Sequence, residues 1–157
     1  MECKTSYSQW LEVLKEYQNR WYLVGIISGT SNFRTFGIDR INELEVLQDN
    51  FIPKTSTNPF ELFENTIGLT YSEADIEEII LSFTSLQGKY IKSLPLHKSQ
   101  NILKDNDQEL VVRLLIVPNF EFIQKILMLG DAVTVIKPKW LQNDIKKTIS
   151  KTLKKYK

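Results

Sequence analysis

The chain has 157 residues, 42% of them hydrophobic and 25% charged, a balance that excludes a disordered tail and provides for one larger core or two small ones. No run of about 18 apolar residues is present, and Met1 is followed by Glu2 and Lys4 in place of an apolar leader, so a cytoplasmic protein is expected. One cysteine, Cys3, excludes an internal disulfide, and with His97 the only histidine no zinc cluster or other cofactor site is expected.

The formal charge of +1 hides an asymmetry, because residues 1–70 carry 6 Lys/Arg against 9 Asp/Glu and residues 71–157 carry 14 against 10. Lys137 to Lys157 alone holds eight lysines and one acid, Asp144. Such a segment suits a polyanion, although the plain outer side of an amphipathic helix looks the same.

Leu11 to Tyr17 and Trp21 to Ile27 flank the polar break Gln18-Asn19-Arg20, which predicts a hairpin. The first run also places Trp10, Leu14 and Tyr17 on one helical face after a Ser8 cap; strand is the favoured reading. Ser28 to Asn32 suits a turn. Phe33 to Ile41 alternates as a strand, with Gly37 as a candidate bulge, and Leu44 to Leu47 is expected to continue the pairing. Such short strands, with no room for crossover helices, predict a small antiparallel barrel or sheet.

Pro53 to Ser72 reads as loop, short helical turn and exit, with a domain boundary near Thr70. Beyond it Ile76–Phe83 predicts a strand, Ser85–Leu94 a helix interrupted by Gly88, Ser99–Lys104 and Leu110–Val117 a strand pair about Asp105-Asn106-Asp107, Asn119–Leu129 a helix stopped by Gly130, and Ala132–Ile136 a strand. From Pro138 onward Leu141, Ile145, Thr148, Ile149 and Leu153 recur at helical spacing, with most lysines outside. The order βαββαβ plus a terminal helix is that of a ferredoxin-like split unit.

Trp21-Tyr22-Leu23, followed by Arg34-Thr35-Phe36-Gly37-Ile38-Asp39-Arg40-Ile41, resembles the paired signatures of the WYL domain. Leu96 to Gln100, the Gly130-Asp131 turn, the strand before Pro138 and the basic helix ending at Tyr156 resemble the WCX-type extension that follows such domains. The resemblance covers about residues 11 to 156. It implies an α+β protein, with an SH3-like antiparallel β-barrel in residues 1–70 and a ferredoxin-like extension in residues 71–157. It also implies the effector-sensing part of a bacterial transcription regulator that binds a nucleotide or single-stranded oligonucleotide, forms a homodimer and is not an enzyme. Two departures from the family pattern stand out. There is no room before Ser8 for a helix-turn-helix, so DNA reading is expected from a partner or a missing N-terminal domain; the first barrel strand with its proline is missing too, which leaves barrel closure open.

Arg40, Arg34, Tyr22, Trp21 and Phe36 are the candidate ligand residues, since forked guanidinium donors match phosphate and aromatic faces accept a base. Against this, Trp21, Leu23, Phe36 and Ile38 are of the types that build a barrel core, and Arg40 has Asp39 and Glu43 as ready ion-pair partners. His97 with Ser99 suggests a catalytic pair, but on an extended segment the two side chains are expected to diverge. Asp105, Asp107 and Glu109 read as a turn without the glycine of a calcium loop, and Glu73, Asp75, Glu77 and Glu78 as a solvated acidic edge. The competing reading is a structural or dimerisation remnant with no ligand.

Overall fold

In the computed structural model, which describes residues 9–27, 33–43, 45, 61–70 and 74–156, the first apolar runs form β1 (Gln9–Tyr17) and β2 (Arg20–Ile27). Gln18 and Asn19 connect them with φ of 50° and 60°, the positive backbone angles of a two-residue hairpin turn. β3 (Phe33–Gly37) completes an antiparallel sheet of order β1-β2-β3. The helical alternative for the first run is thereby resolved as strand.

The pairing decides which face of this sheet is the core. Val13 stands opposite Val24, both are buried, and Phe63 and Phe33 close over them. Phe63 arrives on a 3-10 turn, Glu61–Phe63, and Lys15 sets its ammonium 4.0 Å from that ring's centroid, a cation–π contact. Trp21 and Leu14 leave the opposite face and are half exposed, Trp21 at 52%. The expectation that Trp21, Leu23, Phe36 and Ile38 form the core is corrected, because Phe63 covers the other set of alternating positions.

β3 also ends sooner than the alternation predicts. At Gly37 the chain turns into a 3-10 segment, Ile38–Arg40, closed by Ile41 N–H donating to the Ile38 carbonyl at 3.1 Å. A Cβ at Gly37 would stand 2.7 Å from Asp39 Oδ1, the tip of a half-exposed side chain that is able to swing aside. Ser28–Asn32, Leu44, Val46, Leu47 and the loop from Pro53 lie outside the described residues. Glu45 is described and belongs to no strand.

The chain divides into two compact units, Met1–Glu64 with Gly68–Tyr71, and Asn65–Ile67 with Ser72–Lys157. The second unit runs β4 (Glu77–Thr84), α1 (Ser85–Ser93), β5 (Asn101–Asp105), β6 (Glu109–Ile116), α2 (Phe120–Met128), β7 (Val133–Lys137) and α3 (Lys139–Leu153). Its strands form one sheet of order β5-β6-β4-β7 with every neighbour antiparallel. Alternation sends Ile79, Leu81 and Phe83 of β4 and Leu110, Val112, Leu114 and Ile116 of β6 to one face, where Ile91, Phe122, Ile126 and Leu141 of the helices cover them. The described residues thus make a mixed α+β protein with two antiparallel sheets and three α-helices.

Local signals account for the element ends. Asn119 Oδ1 accepts the Phe122 N–H at 2.9 Å and opens α2, and Gly130, at φ 58°, ends it in the left-handed region. Asn106 Oδ1 accepts the N–H groups of Gln108 and Glu109 and builds the β5–β6 turn. α1 runs unbroken through Gly88, contrary to the expected interruption.

The sheet face away from the helices carries cross-strand charge. Glu78 accepts a hydrogen bond from Lys137 at 2.7 Å and faces Arg113 at 3.9 Å, and Glu109 accepts from Lys104 at 2.8 Å and from the Ser82 hydroxyl. The Lys137 hydrogen bond holds the Glu78 carboxyl below the usual glutamate range, and the Lys104 hydrogen bond, followed by that of Ser82, does the same for Glu109. Since the folded values are depressed, their contribution to stability is present above the unfolded glutamate value and is lost as pH falls through the folded one. Carboxyl-carbon NMR titration is expected to give both groups acidic midpoints relative to free glutamate, and Lys137→Ala is expected to return Glu78, and not Glu109, towards it.

Candidate functional site

A hollow of about 370 Å³ opens in the first unit, lined by Tyr22, Phe33, Arg34, Thr35, Leu69 and Thr70. Register explains its aromatic side. Tyr22 pairs with Gly37 and Val24 with Thr35, so Tyr22 and Thr35 leave the face that holds the core, and Phe33 packs beside them. The Thr35 hydroxyl donates to the Leu69 carbonyl at 3.4 Å and fastens β3 to the returning segment. β3 is a sheet edge, and Arg34, paired with Gly25 and exposed there, is the one charged residue that borders the hollow.

Arg40 belongs to the same neighbourhood. Its Cδ and Tyr22 Cε1 each lie 3.8 Å from where a Gly37 Cβ would be, so the two side chains approach across a residue that has none. The expected partner Asp39 instead faces Arg20, at 3.8 Å and with both side chains about half exposed, a pair of small energetic weight. Trp21 and Phe36 lie elsewhere: Phe36 pairs with Leu23, and by alternation Trp21, Leu23 and Phe36 share the face opposite Tyr22. Of the five sequence candidates, Tyr22 and Arg34 border the hollow and Arg40 approaches Tyr22 over Gly37, whereas Trp21 and Phe36 lie across the sheet, on the face to which alternation also directs the Arg34 side chain. Phe33, Thr35, Leu69 and Thr70 were missed. The first two were legible as alternate positions of the arginine-bearing strand, whereas Leu69 and Thr70 arrive from a distant segment that no local spacing announces.

His97 and Ser99 do meet, contrary to the expected divergence, because residues 97–99 turn instead of extending. His97 Nδ1 lies 2.8 Å from Ser99 Oγ and accepts the Ser99 backbone N–H at 3.1 Å. Ser99 Oγ in turn donates to the Leu115 carbonyl at 3.1 Å and accepts the Leu115 N–H at 2.9 Å. Ser99 Oγ, with His97 Nδ1 beside it, thus ties the turn ahead of β5 to β6. Among the acidic positions, Glu77 accepts from Trp140 Nε1 at 2.8 Å and Glu78 from Lys137, while Glu73 lies outside the described residues. No cluster of metal-ligating side chains and no helix long and apolar enough to cross a membrane occurs among the described residues.

Comparison with curated proteins finds no match. Among solved structures the chain is similar to the proteasome accessory factor B/C (PafBC) of Arthrobacter aurescens, at 18% identity and a TM-score of 0.33, over 88% of this chain and 21% of that one. Family models match twice: the WYL domain over residues 13–46 and the WCX domain over residues 75–153. With the WCX model spanning just over half of the 157 residues and the WYL model the strands ahead of it, the chain belongs to the family of WYL and WCX domain proteins.

Proposed function

We propose that the chain is the effector-sensing, ligand-binding module of a bacterial transcription regulator, and that the hollow beside Tyr22 takes a nucleotide or the end of a single-stranded oligonucleotide. The observation that carries this reading is an open hollow bordered by the aromatic residues Tyr22 and Phe33 with Arg34 on the adjoining sheet edge. Base-on-ring stacking supplies about 1–3 kcal/mol per base, and arginine's fork matches phosphate oxygens. Arg40, approaching Tyr22 over Gly37, is assigned the second phosphate contact.

On this reading the first unit is an SH3-like barrel and the second a ferredoxin-like domain, the latter supported by the β5-β6-β4-β7 order with α1 and α2 on one face. The module acts as a homodimer in the cytoplasm and catalyses no reaction. Effector binding shifts the population of arrangements that an N-terminal DNA-reading domain or a separate DNA-binding partner senses.

Calorimetric titration with mononucleotides and short 5′-phosphorylated oligothymidylates tests it. Saturable binding is expected, weakened about tenfold or more by Arg34→Ala, in line with the loss of a charge-assisted hydrogen bond, and comparably by Tyr22→Ala. Flat heats from a folded wild-type dimer would leave only the structural, dimer-forming role.

A further inference from the structure

The strongest unassigned feature is the outward face of α3. Successive helix residues are set about 100° apart, and Leu141 and Ile145 fix the inward direction, the first buried and the second packed on the core. Opposite them Lys139, Lys146, Lys147, Lys151 and Lys154 fall within an arc of about 140°, along about 22 Å of axis. Asn143 and Ser150 fill the arc, all seven are exposed, and Asp144, the one acid of the helix, lies at its margin.

Among the described residues no carboxylate is paired with this strip. Lys92, Lys104 and Lys137 are paired, with Asp105, Glu109 and Glu78, but among the described residues no ion pair involves a lysine of α3. Five like charges on one surface repel one another. A partner that presents a row of negative charge relieves the repulsion.

We propose that this arc of α3 is a docking strip for the phosphate backbone of a nucleic acid, read without regard to sequence and separate from the hollow beside Tyr22. Lysine ammoniums supply point charges and the Asn143 and Ser150 side chains supply neutral donors, the mixture that positions a protein on phosphates. A lipid surface fits less well. The apolar stripe that a membrane-lying helix needs is used up in the core at Leu141 and Ile145. Its exposed remainder, Ile149 and Leu153 at 52% and 58%, stands a quarter turn or more from the centre of the arc.

The test is fluorescence anisotropy of the whole chain with a labelled oligothymidylate and a labelled duplex of scrambled sequence, between about 50 and 200 mM salt. Wild type is expected to bind the duplex with log K falling against log salt at a slope of about −3 to −4. Lys146→Glu/Lys147→Glu/Lys151→Glu is expected to lose at least about tenfold in affinity and to flatten the slope by about three. Lys89→Glu/Lys98→Glu/Lys125→Glu makes the same change of net charge elsewhere and is expected to stay near wild type. Arg34→Ala, which removes the arginine bordering the hollow, is expected to leave this binding unchanged, so the two sites fail or stand separately. Circular dichroism checks folding, and the glutamine triple variant at 146, 147 and 151 replaces the glutamate one should that unfold. The proposal is overturned if wild type ignores both probes, if the two triple variants weaken binding equally, or if these lysines direct the chain to phosphatidylserine vesicles and not to the oligonucleotides.

Discussion

Replacing Gly88 with alanine is expected to lower stability by about 1–2 kcal/mol, and with valine by about 3 kcal/mol, the range of overpacking in a closed core. Helix propensity alone predicts the opposite for alanine, a gain of about 1 kcal/mol over glycine inside a helix. Packing decides the sign. A Cβ at Gly88 would stand 2.7 Å from Leu110 Cβ, and that atom hangs directly from β6 in the middle of the core, so it cannot swing aside as a side-chain tip would. α1 would have to lift from the sheet and open the seam that Ile91 seals. Urea denaturation reads the result; a raised midpoint for Gly88→Ala would show that α1 can move away from β6 at no cost.

Asn119→Ala is expected to cost about 2–4 kcal/mol, because one buried side chain performs two separable tasks. Its Oδ1 caps α2 through the Phe122 N–H at 2.9 Å, and its Nδ2 donates to the Ile67 carbonyl at 2.9 Å. Loss of a cap costs about 1 kcal/mol, and a buried carbonyl deprived of its donor about 1–3 kcal/mol. Asn119→Asp separates them: the carboxylate still caps the helix but has no proton for Ile67, so part of the stability is retained. Hydrogen exchange at Phe122 is expected to quicken in the alanine variant and to stay slow in the aspartate one. Equal losses in both variants would mean that the cap contributes nothing.

How far such features are legible before folding differs between the two halves of the chain. In the second half, alternation in β4 and β6, the 3.6-residue recurrence in α2 and α3, the Asn119 cap and the Gly130 stop all agree with the observed elements, because each depends on neighbours within a few residues. The first hairpin is legible for the same reason, and the paired WYL signatures at Trp21 and Arg34 point to the family that the domain models identify.

Residues distant in sequence decided the rest. Alternation states that Trp21 and Tyr22 occupy different faces, but only the arrival of Phe63 over Val13 and Val24 makes the Tyr22 face the inner one. The need for glycine at position 88 follows from the closeness of Leu110, and the meeting of His97 with Ser99 from a turn anchored on Leu115. Periodicity along a chain determined that an apolar side exists and how each element is shaped. Which side is covered, which glycine is indispensable and which side chains share a hollow depend on contacts between segments that fold back on one another, and those are set by the close packing of the whole.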